Sequence, residues 1–150
     1  MLRFLRFKKF DLSAAMRAYG QYTKNRELYP FCYKQLDVRE HLIHDLFERG
    51  YVFPLFDKDE HGRTIVFIRN GAFGQRFGHR STDLYRCLVM TLECLLIDED
   101  NQRRGLVYVV DFEGQLLSDV AYVGILEAQK LARSGEVSSY FHLLSSLFSD

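Results

Sequence analysis

Gly-Leu-Val-Tyr-Val-Val-Asp-Phe-Glu-Gly, residues 105–114, is the stretch of this 150-residue chain that decides the fold. Residues 106–110 are apolar or aromatic without a break, and they do not alternate with polar residues. A strand of this kind is covered on both faces, which is typical of a central strand in a mostly parallel sheet. Open α/β sheets bind ligands at the carboxyl ends of such strands, so we expect the floor of any binding site here.

The element before this strand is a predicted helix over residues 84–97. Its apolar side chains cover more than one stripe, which indicates burial on most sides. Ser81, Thr82 or Asp83 is its predicted cap. A polar segment, residues 98–104, is predicted to form the turn into the strand.

Two more strands are predicted earlier in the chain, over residues 52–56 and 63–69, with a turn at 57–62 between them. The glycine-rich residues 70–80 predict a loop. Another helix is predicted to begin near Ser118. Strands and helices that alternate in this way indicate an α/β protein with a mixed, mostly parallel sheet flanked by helices.

The chain before these strands is predicted to be helical. Asp11 or Ser13 caps a helix that Pro30 ends, and a capping-box-like sequence at residues 37–40 begins the next one, which stops at Gly50. The apolar positions expected on these two helices are Leu12, Ala15, Met16, Tyr19 and Tyr22, then Val38, Leu42, Leu46 and Phe47.

Composition excludes several functional classes. Lys plus Arg and Asp plus Glu balance at 20 each, so no global field favours nucleic acid as a partner. No run of 18 apolar residues predicts a membrane span, and the first residues lack a signal-peptide pattern. The three cysteines form no C-x-x-C motif, which favours free thiols in a reducing compartment. We therefore expect a cytoplasmic protein.

Motifs of catalysis and metal binding are absent from the sequence, so we predict no enzyme, no cofactor and no metal. His41 and His44, with Asp45 and Glu48, resemble a helical metal set, but no Cys or third His is placed to complete it, and a solvated face is the favoured interpretation. The glycines of residues 70–78 do not have dinucleotide-loop spacing, and no G-x-S-x-G motif occurs. Asp111 is expected to cap the turn that follows it.

Residues 4–12, Phe-Leu-Arg-Phe-Lys-Lys-Phe-Asp-Leu, resemble the F-L-R-A-R-K-F-D sequence that opens the helical N-terminal part of CRAL-TRIO proteins. Further motifs of the family follow in its order: Tyr29-Pro30, Gly50-Tyr51, Asp59-Glu-His-Gly-Arg63, a capped helix at Asp83, Gln102-Arg-Arg-Gly105 and Asp111-Phe-Glu-Gly114. Their order and spacing are most similar to the branch that holds alpha-tocopherol transfer protein and cellular retinaldehyde-binding protein, over about residues 2–136.

The resemblance implies a carrier that encloses one small hydrophobic lipid, such as a tocopherol, retinoid or phospholipid, and exchanges it at a membrane surface. The family's cavity is lined partly by the helix before the central strand and by that strand. By matching motif, the ligand-binding candidates are Tyr85, Leu88, Val89 and Leu92 on the helix, and Leu106, Tyr108 and Val110 on the strand. From the residues alone, these side chains also fit an ordinary packed core.

The same branch holds a phosphoinositide headgroup with basic residues, one of which lies in the F-L-R motif. Its counterpart here is Lys8, where that branch has Arg. A lysine can still meet a phosphate but cannot make the bidentate contact of a guanidinium. The basic, aromatic residues 3–10 could also rest on an anionic membrane or pack as a helix whose basic side chains reach water.

Resemblance to the family stops at Glu136. The family continues with F-P-x-R-x-K-x-I-H-x-I-N-x-P, a further strand, a gate helix and a C-terminal floor, whereas residues 137–150 bear no likeness to it. Val137-Ser138 is what the usual first bases of an intron encode when read in frame, so we hypothesise an alternative or aberrant transcript product. Sequencing the transcript across this junction tests the hypothesis, and an uninterrupted exon there would refute it. One pocket wall and one sheet edge are then expected to be open, without stoichiometric binding of a tocopherol or retinoid.

Three regions follow from these observations. Residues 1–36 are predicted to be a partial CRAL-TRIO N-terminal helical region, residues 37–136 an incomplete lipid-binding domain, and residues 137–150 a divergent tail. The alternative function is a regulatory or protein-interaction module without a lipid ligand, such as a non-functional truncated isoform. Sequence leaves the oligomeric state and the identity of the lipid open.

Overall fold

A computed structural model describes residues 1–73, 80–114 and 143–145 of the chain. Within these ranges the protein has six helices and four strands. The helices are α1 Leu2–Phe7, α2 Leu12–Leu28, α3 Pro30–Tyr33, α4 His41–Glu48, α5 Ser81–Leu95 and α6 Glu99–Arg104. The strands are β1 Val52–Lys58, β2 Thr64–Arg69, β3 Leu106–Asp111 and β4 Leu143–Ser145.

The four strands form one sheet in the order β1-β2-β3-β4. β1 and β2 are antiparallel, with Val52 opposite Ile68, as expected of a hairpin. β2 and β3 are parallel, and so are β3 and β4. The predicted mixed, mostly parallel α/β sheet is therefore confirmed, with residues 106–110 on an inner strand.

The tail of the chain contributes to this sheet. Leu143 pairs with Tyr108 and Ser145 pairs with Val110, so β3 has a neighbour on each side. Among the described strands β1 and β4 are the outer ones, and the strand that was expected to be the floor is not one of them. The helix predicted near Ser118 and most of the 70–80 loop lie outside the described residues.

The main core lies between the sheet and helices α4 and α5. Alternate residues of β2 are buried, with Thr64, Val66 and Ile68 at less than a tenth exposed, which is the period-two pattern of a strand packed on one face. Ile43 and Leu46 of α4 are fully buried in the same cluster. On the opposite face of the sheet the half-buried Phe53 and Phe67 rings lie 5.6 Å apart.

Two helix ends have the predicted chemistry. The Asp11 carboxylate accepts a hydrogen bond from the Ala14 amide at 2.9 Å, which caps α2. Gly50 has a φ of 69° after α4, and the Tyr51 amide donates to the Leu46 carbonyl at 3.0 Å. This is a Schellman ending, which favours glycine because a side chain is disfavoured at positive φ.

The predicted start of α4 is wrong. The helix begins at His41 rather than at Asp37, whose carboxylate accepts bonds from Arg39 instead of capping a helix. Glu40 is at the N-cap position, but its side chain accepts from Arg86 at 2.6 Å. The ion pair with Arg86, which is distant in sequence, therefore forms instead of the local capping box. Of the apolar positions expected on this helix, only Leu46 is fully buried, and Ile43 joins it.

The expected stripe on α2 is also corrected. Ala15 and Ala18 are buried against α1, whereas Leu12 and Met16 are exposed by 63% and 55%. Small side chains allow α1 to approach α2 closely, and the larger ones are left on the outer face.

Two elements around α5 differ from expectation. Arg80 is at the N-cap of α5 without a side-chain cap, and Asp83 lies inside the helix, where Arg80 holds it at 2.7 Å and 3.0 Å. Residues 98–104 were expected to be a turn, yet they form α6, because the Asp98 carboxylate accepts from the Asp100 amide and begins a helix.

Candidate functional site

The rotation of α5 is fixed by buried charges at its first turns. Asp83 and Arg86 are only 2% and 9% exposed. Arg86 donates to the Glu40 carboxylate at 2.6 Å and to the Gln35 carbonyl at 2.9 Å. A buried charge is tolerated when it is paired and hydrogen-bonded, so these contacts hold α5 against the segment before α4.

The next turn of α5 enters the core. The Cys87 thiol is fully buried and donates weakly to the Ile43 carbonyl at 3.9 Å. Burial raises the pKa of Cys87 to about 12, so the thiol stays neutral at physiological pH and is poorly suited to nucleophilic chemistry.

Five of the seven predicted ligand-binding residues meet in one apolar cluster, which we call the α5–β3 wall. It consists of Leu88, Leu92, Leu106, Tyr108 and Val110. The three strand residues are two apart in sequence, so they share one face of β3. Leu106 and Tyr108 are 1% exposed, whereas the other three side chains are half-buried.

The other two predicted residues face a different neighbour. Tyr85 and Val89 pack with Cys32 and Tyr33 of α3 in a separate cluster. The Tyr85 and Tyr33 hydroxyls are hydrogen-bonded at 3.1 Å, and their rings meet edge to face with centroids 6.1 Å apart. The structure therefore does not bring all seven residues together, because adjacent faces of α5 turn toward the N-terminal helices and toward the sheet.

Lys8, the predicted phosphoinositide-binding residue, is the C-cap of α1. Its side chain is half-buried, and its ammonium lies 4.3 Å from the centroid of the Phe7 ring. This contact keeps the charge at the end of α1, close to the turn into α2.

The polar cluster around Glu93 was not predicted from the sequence. The Glu93 carboxylate accepts from Arg3 at 2.9 Å and from the Tyr22 hydroxyl at 2.8 Å, and Arg26 lies 3.9 Å away. Burial alone would raise the pKa of Glu93, but the hydrogen bonds from Arg3 and Tyr22 outweigh it and hold that pKa below its ordinary value. Glu93 is the one acid in the apolar residues 84–97, which was the available signal.

The basic partners of Glu93 also stack on aromatic rings. The Arg3 guanidinium lies 4.7 Å from the Tyr22 ring centroid, and Arg26 lies 5.4 Å from both Tyr22 and Tyr33. These are cation–π distances. Arg6 donates to Gln102 and Glu99 at 2.7 Å. The basic residues Arg3, Arg6 and Arg26 thus attach the N-terminal helices to α5 and α6.

A groove of about 510 Å³ runs along the N-terminal helices, away from the α5–β3 wall. Its lining combines aromatic and charged side chains: Tyr19, Tyr22, Thr23, Arg26, Glu27, Tyr33 and Lys34. No sequence motif indicated it, because its residues come from two helices at irregular spacing.

The remaining candidates from the sequence are His41, His44 and Asp111. Asp111 accepts from the Glu113 amide at 2.8 Å, which is the turn-capping role expected of it. Across residues 1–73, 80–114 and 143–145, no three potential metal ligands lie together. In the same ranges no helix has the length and apolar character needed to cross a membrane.

The fold and the wall together define an α/β domain with an apolar helix packed on a mixed sheet. The sequence profile of the CRAL/TRIO domain matches residues 48–134, more than half of the chain, and the chain belongs to that family. The predicted family is thereby confirmed.

Curated relatives agree with this assignment. The chain is 29% identical over 131 residues to the Homo sapiens protein "Alpha-tocopherol transfer protein-like", which covers 87% of this chain and 37% of that protein. The Mus musculus protein of the same name matches equally. Clavesin-1 of Xenopus laevis is 29% identical over 112 residues, 75% of this chain and 33% of that protein. The chain thus spans about a third of the length of these relatives.

Proposed function

We propose that this chain binds a small hydrophobic lipid through the α5–β3 wall and takes part in intracellular lipid transfer without catalysing a reaction. The single observation that carries the proposal is the coincidence of a CRAL/TRIO match with an apolar cluster built from α5 and β3. The relatives' name, alpha-tocopherol transfer protein-like, supports a tocopherol or a lipid of similar size and polarity.

The physical driving force is burial of apolar surface. A lipid laid on Leu88, Leu92 and Val110 removes their remaining exposed area from water, along with its own, at about 25 cal/mol per Å². Leu106 and Tyr108 belong to the same cluster and to the same proposal, but they are already buried and contribute less exposed area than the other three side chains. Tyr85 and Val89 enter the same proposal at the boundary with α3.

Lys8 is proposed to hold an acidic lipid headgroup, of the phosphoinositide class, while the lipid is exchanged at a membrane. Its ammonium is a single point charge, so its contribution depends on salt. The division into a helical region over residues 1–36, a lipid-binding domain over 37–136 and a tail over 137–150 belongs to the same proposal, as does a cytoplasmic location.

Native mass spectrometry of the purified full chain tests lipid binding. We expect an apolar molecule to co-purify, at less than one per chain, and to be displaced by tocopherol. Leu92→Gln should lower occupancy by about tenfold, because it leaves an amide in an apolar contact. The matched control is Ile97→Gln, which places the same amide at a side chain that is 78% exposed. Equal occupancy in both variants, or none in the wild-type chain, would contradict the proposal.

The alternative, a protein-interaction module, is favoured by one observation. Phe56 on the outer strand β1 is fully exposed, and an apolar edge strand can pair with another chain. A wild-type chain that purifies without lipid, with a partner protein lost in Phe56→Ser, would support this second function over the first.

A further inference from the structure

The turn between α1 and α2 presents apolar and basic side chains together. We call it the α1–α2 corner, and it consists of Lys8, Lys9, Phe10 and Leu12. Phe10 and Leu12 are 68% and 63% exposed, and Lys9 is exposed beside them. Asp11 between them is occupied as the cap of α2.

The backbone of this corner holds Phe10 away from the protein. Lys9 and Phe10 have φ angles of 50° and 65°, in the left-handed region that favours glycine. The Phe10 amide donates to the Leu5 carbonyl at 2.7 Å and the Lys9 amide to the Arg6 carbonyl at 3.1 Å, which closes a Schellman ending on α1. In that motif the residue at the Phe10 position usually packs against the helix.

Here the ring is two-thirds exposed instead, on a backbone with two consecutive non-glycine residues at positive φ. Such conformations cost energy, persist only where surrounding contacts hold them, and cluster at functional sites. Neither packing nor the turn's own hydrogen bonds explains why a phenylalanine stands at this site.

Charge around the corner is predominantly positive. Residues 1–24 contain six basic side chains and one acid, Asp11, while the whole chain has zero net charge. Residues 25–150 therefore carry a net charge of −5. Arg3 and Arg6 are neutralised by Glu93 and Glu99.

The other four basic residues remain available. They are Lys8, Lys9, Arg17 and Lys24, and among the described parts of the chain no carboxylate lies within ion-pair distance of them. A local excess of positive charge on an otherwise balanced protein attracts an anionic surface.

The outer face of α2 continues the apolar surface from the corner. Leu12 and Met16 are one turn apart and exposed, while Ala15 and Ala18 face α1 and are buried. The corner and the first turns of α2 therefore present exposed apolar and basic side chains side by side.

We propose that the α1–α2 corner docks on an anionic lipid bilayer, with Phe10 and Leu12 inserted at the interface and Lys8 and Lys9 on the headgroups. The inference rests on the proposed function, because docking is the step at which a lipid carrier collects its ligand. Lys8 enters both proposals, but Phe10, Leu12 and Lys9 lie outside the α5–β3 wall, so docking and lipid binding can fail separately.

The first experiment uses tryptophan as a local reporter, since the chain contains none. Phe10→Trp places a single indole at the corner, and Phe56→Trp places one at a fully exposed site on β1 as the matched control. Vesicles of phosphatidylcholine mixed with phosphatidylserine should shift the emission of Phe10→Trp to shorter wavelength and leave Phe56→Trp unchanged. Equal shifts, or none at the corner, would overturn the proposal.

The second experiment measures vesicle binding by sedimentation. Phe10→Ser with Leu12→Ser should weaken binding by about tenfold or more, through lost apolar burial. Lys8→Gln and Lys9→Gln should each weaken it by about fivefold and reduce its salt dependence. The controls Phe56→Ser and Lys58→Gln, on exposed positions of β1, should bind like the wild type.

Other outcomes distinguish a failure of membrane docking from a failure of lipid binding. Vesicle binding could require a phosphoinositide and persist in the variant Phe10→Ser with Leu12→Ser. That result would overturn docking by the corner but would keep the proposed contact of Lys8 with a headgroup. The wild-type chain could instead fail to bind these vesicles and form a dimer that Phe10→Ser converts to a monomer. That result would overturn membrane docking in favour of a protein contact. Lost vesicle binding with normal lipid occupancy in native mass spectrometry supports docking and lipid binding as separate steps.

Discussion

Helix α5 is attached on two sides by opposite kinds of interaction. On the sheet side, Cys87, Leu88 and Leu92 pack in an apolar cluster with β3 and α4. Toward the N-terminal helices, Glu93 is held by hydrogen bonds and cation–π partners on α1 and α2. Apolar packing depends on volume and hardly on pH or salt, whereas the polar contacts depend on both. One helix thus separates two interfaces that can be perturbed independently.

The largest effect is expected on the sheet side. Leu106→Ala should lower the free energy of unfolding by about 2–5 kcal/mol, because it leaves a cavity in a fully packed cluster. Urea unfolding followed by circular dichroism measures this. The control is Ile97→Ala, at a side chain that is 78% exposed, where little change is expected. Equal effects would mean that β3 is not packed as the structure places it.

On the polar side the expected effect is smaller. Glu93→Gln should lower the free energy of unfolding by about 1–3 kcal/mol, since a charged acceptor is removed from Arg3 and Tyr22. The same urea assay, repeated in high salt, should show a smaller difference between variant and wild type. A salt-independent loss would indicate packing rather than charge.

The pH dependence of this difference sharpens the comparison. The pKa of Glu93 is held below its ordinary value of 4.5 in the folded chain, so its contribution is present above that value and is lost as the pH falls through the folded pKa. The gap between wild type and Glu93→Gln should therefore be constant near neutrality and shrink in acid. The gap for Leu106→Ala should not change, and a parallel decline in both would contradict the assignment.

The smallest effect is expected at the exposed rim of the same interface. Glu99→Gln removes the ion pair with Arg6, in which the Glu99 side chain is 64% exposed, and should cost about 0.2–1 kcal/mol. Thermal melts at low and high salt measure it. A loss as large as that of Glu93→Gln would show that exposure does not separate the two carboxylates.

Features set by local chemistry were predictable. The unbroken apolar run before Asp111 indicated an inner strand, and β3 is one. Asp11 and Gly50 were placed correctly at helix ends, because a carboxylate accepting from nearby amides and a glycine at positive φ act within a few residues. The resemblance to CRAL-TRIO proteins followed from motif order, and the family match confirms it.

Features that depend on distant partners were not predictable. Glu40 fits a capping box by its spacing, yet it pairs with Arg86, which is 46 residues away in sequence. Tyr85 and Val89 could not be separated from Leu88 and Leu92 by periodicity, since all four lie on one apolar helix and only the position of α3 divides them. The assignment of these residues to a ligand stays a prediction.

The sequence by itself determined the order of the main strands and of helix α5, the inner position of β3 and the family, because these follow from hydrophobic period, turn chemistry and motif spacing. Only the tertiary structure decided which side chains share a surface. Gly71 illustrates this: a Cβ there would clash with the Glu113 carbonyl oxygen, and this clash exists only once β2 and β3 are side by side. The exposure of Phe10 likewise depends on how α1 packs on α2, since burial is a property of neighbours that the chain brings together when it folds.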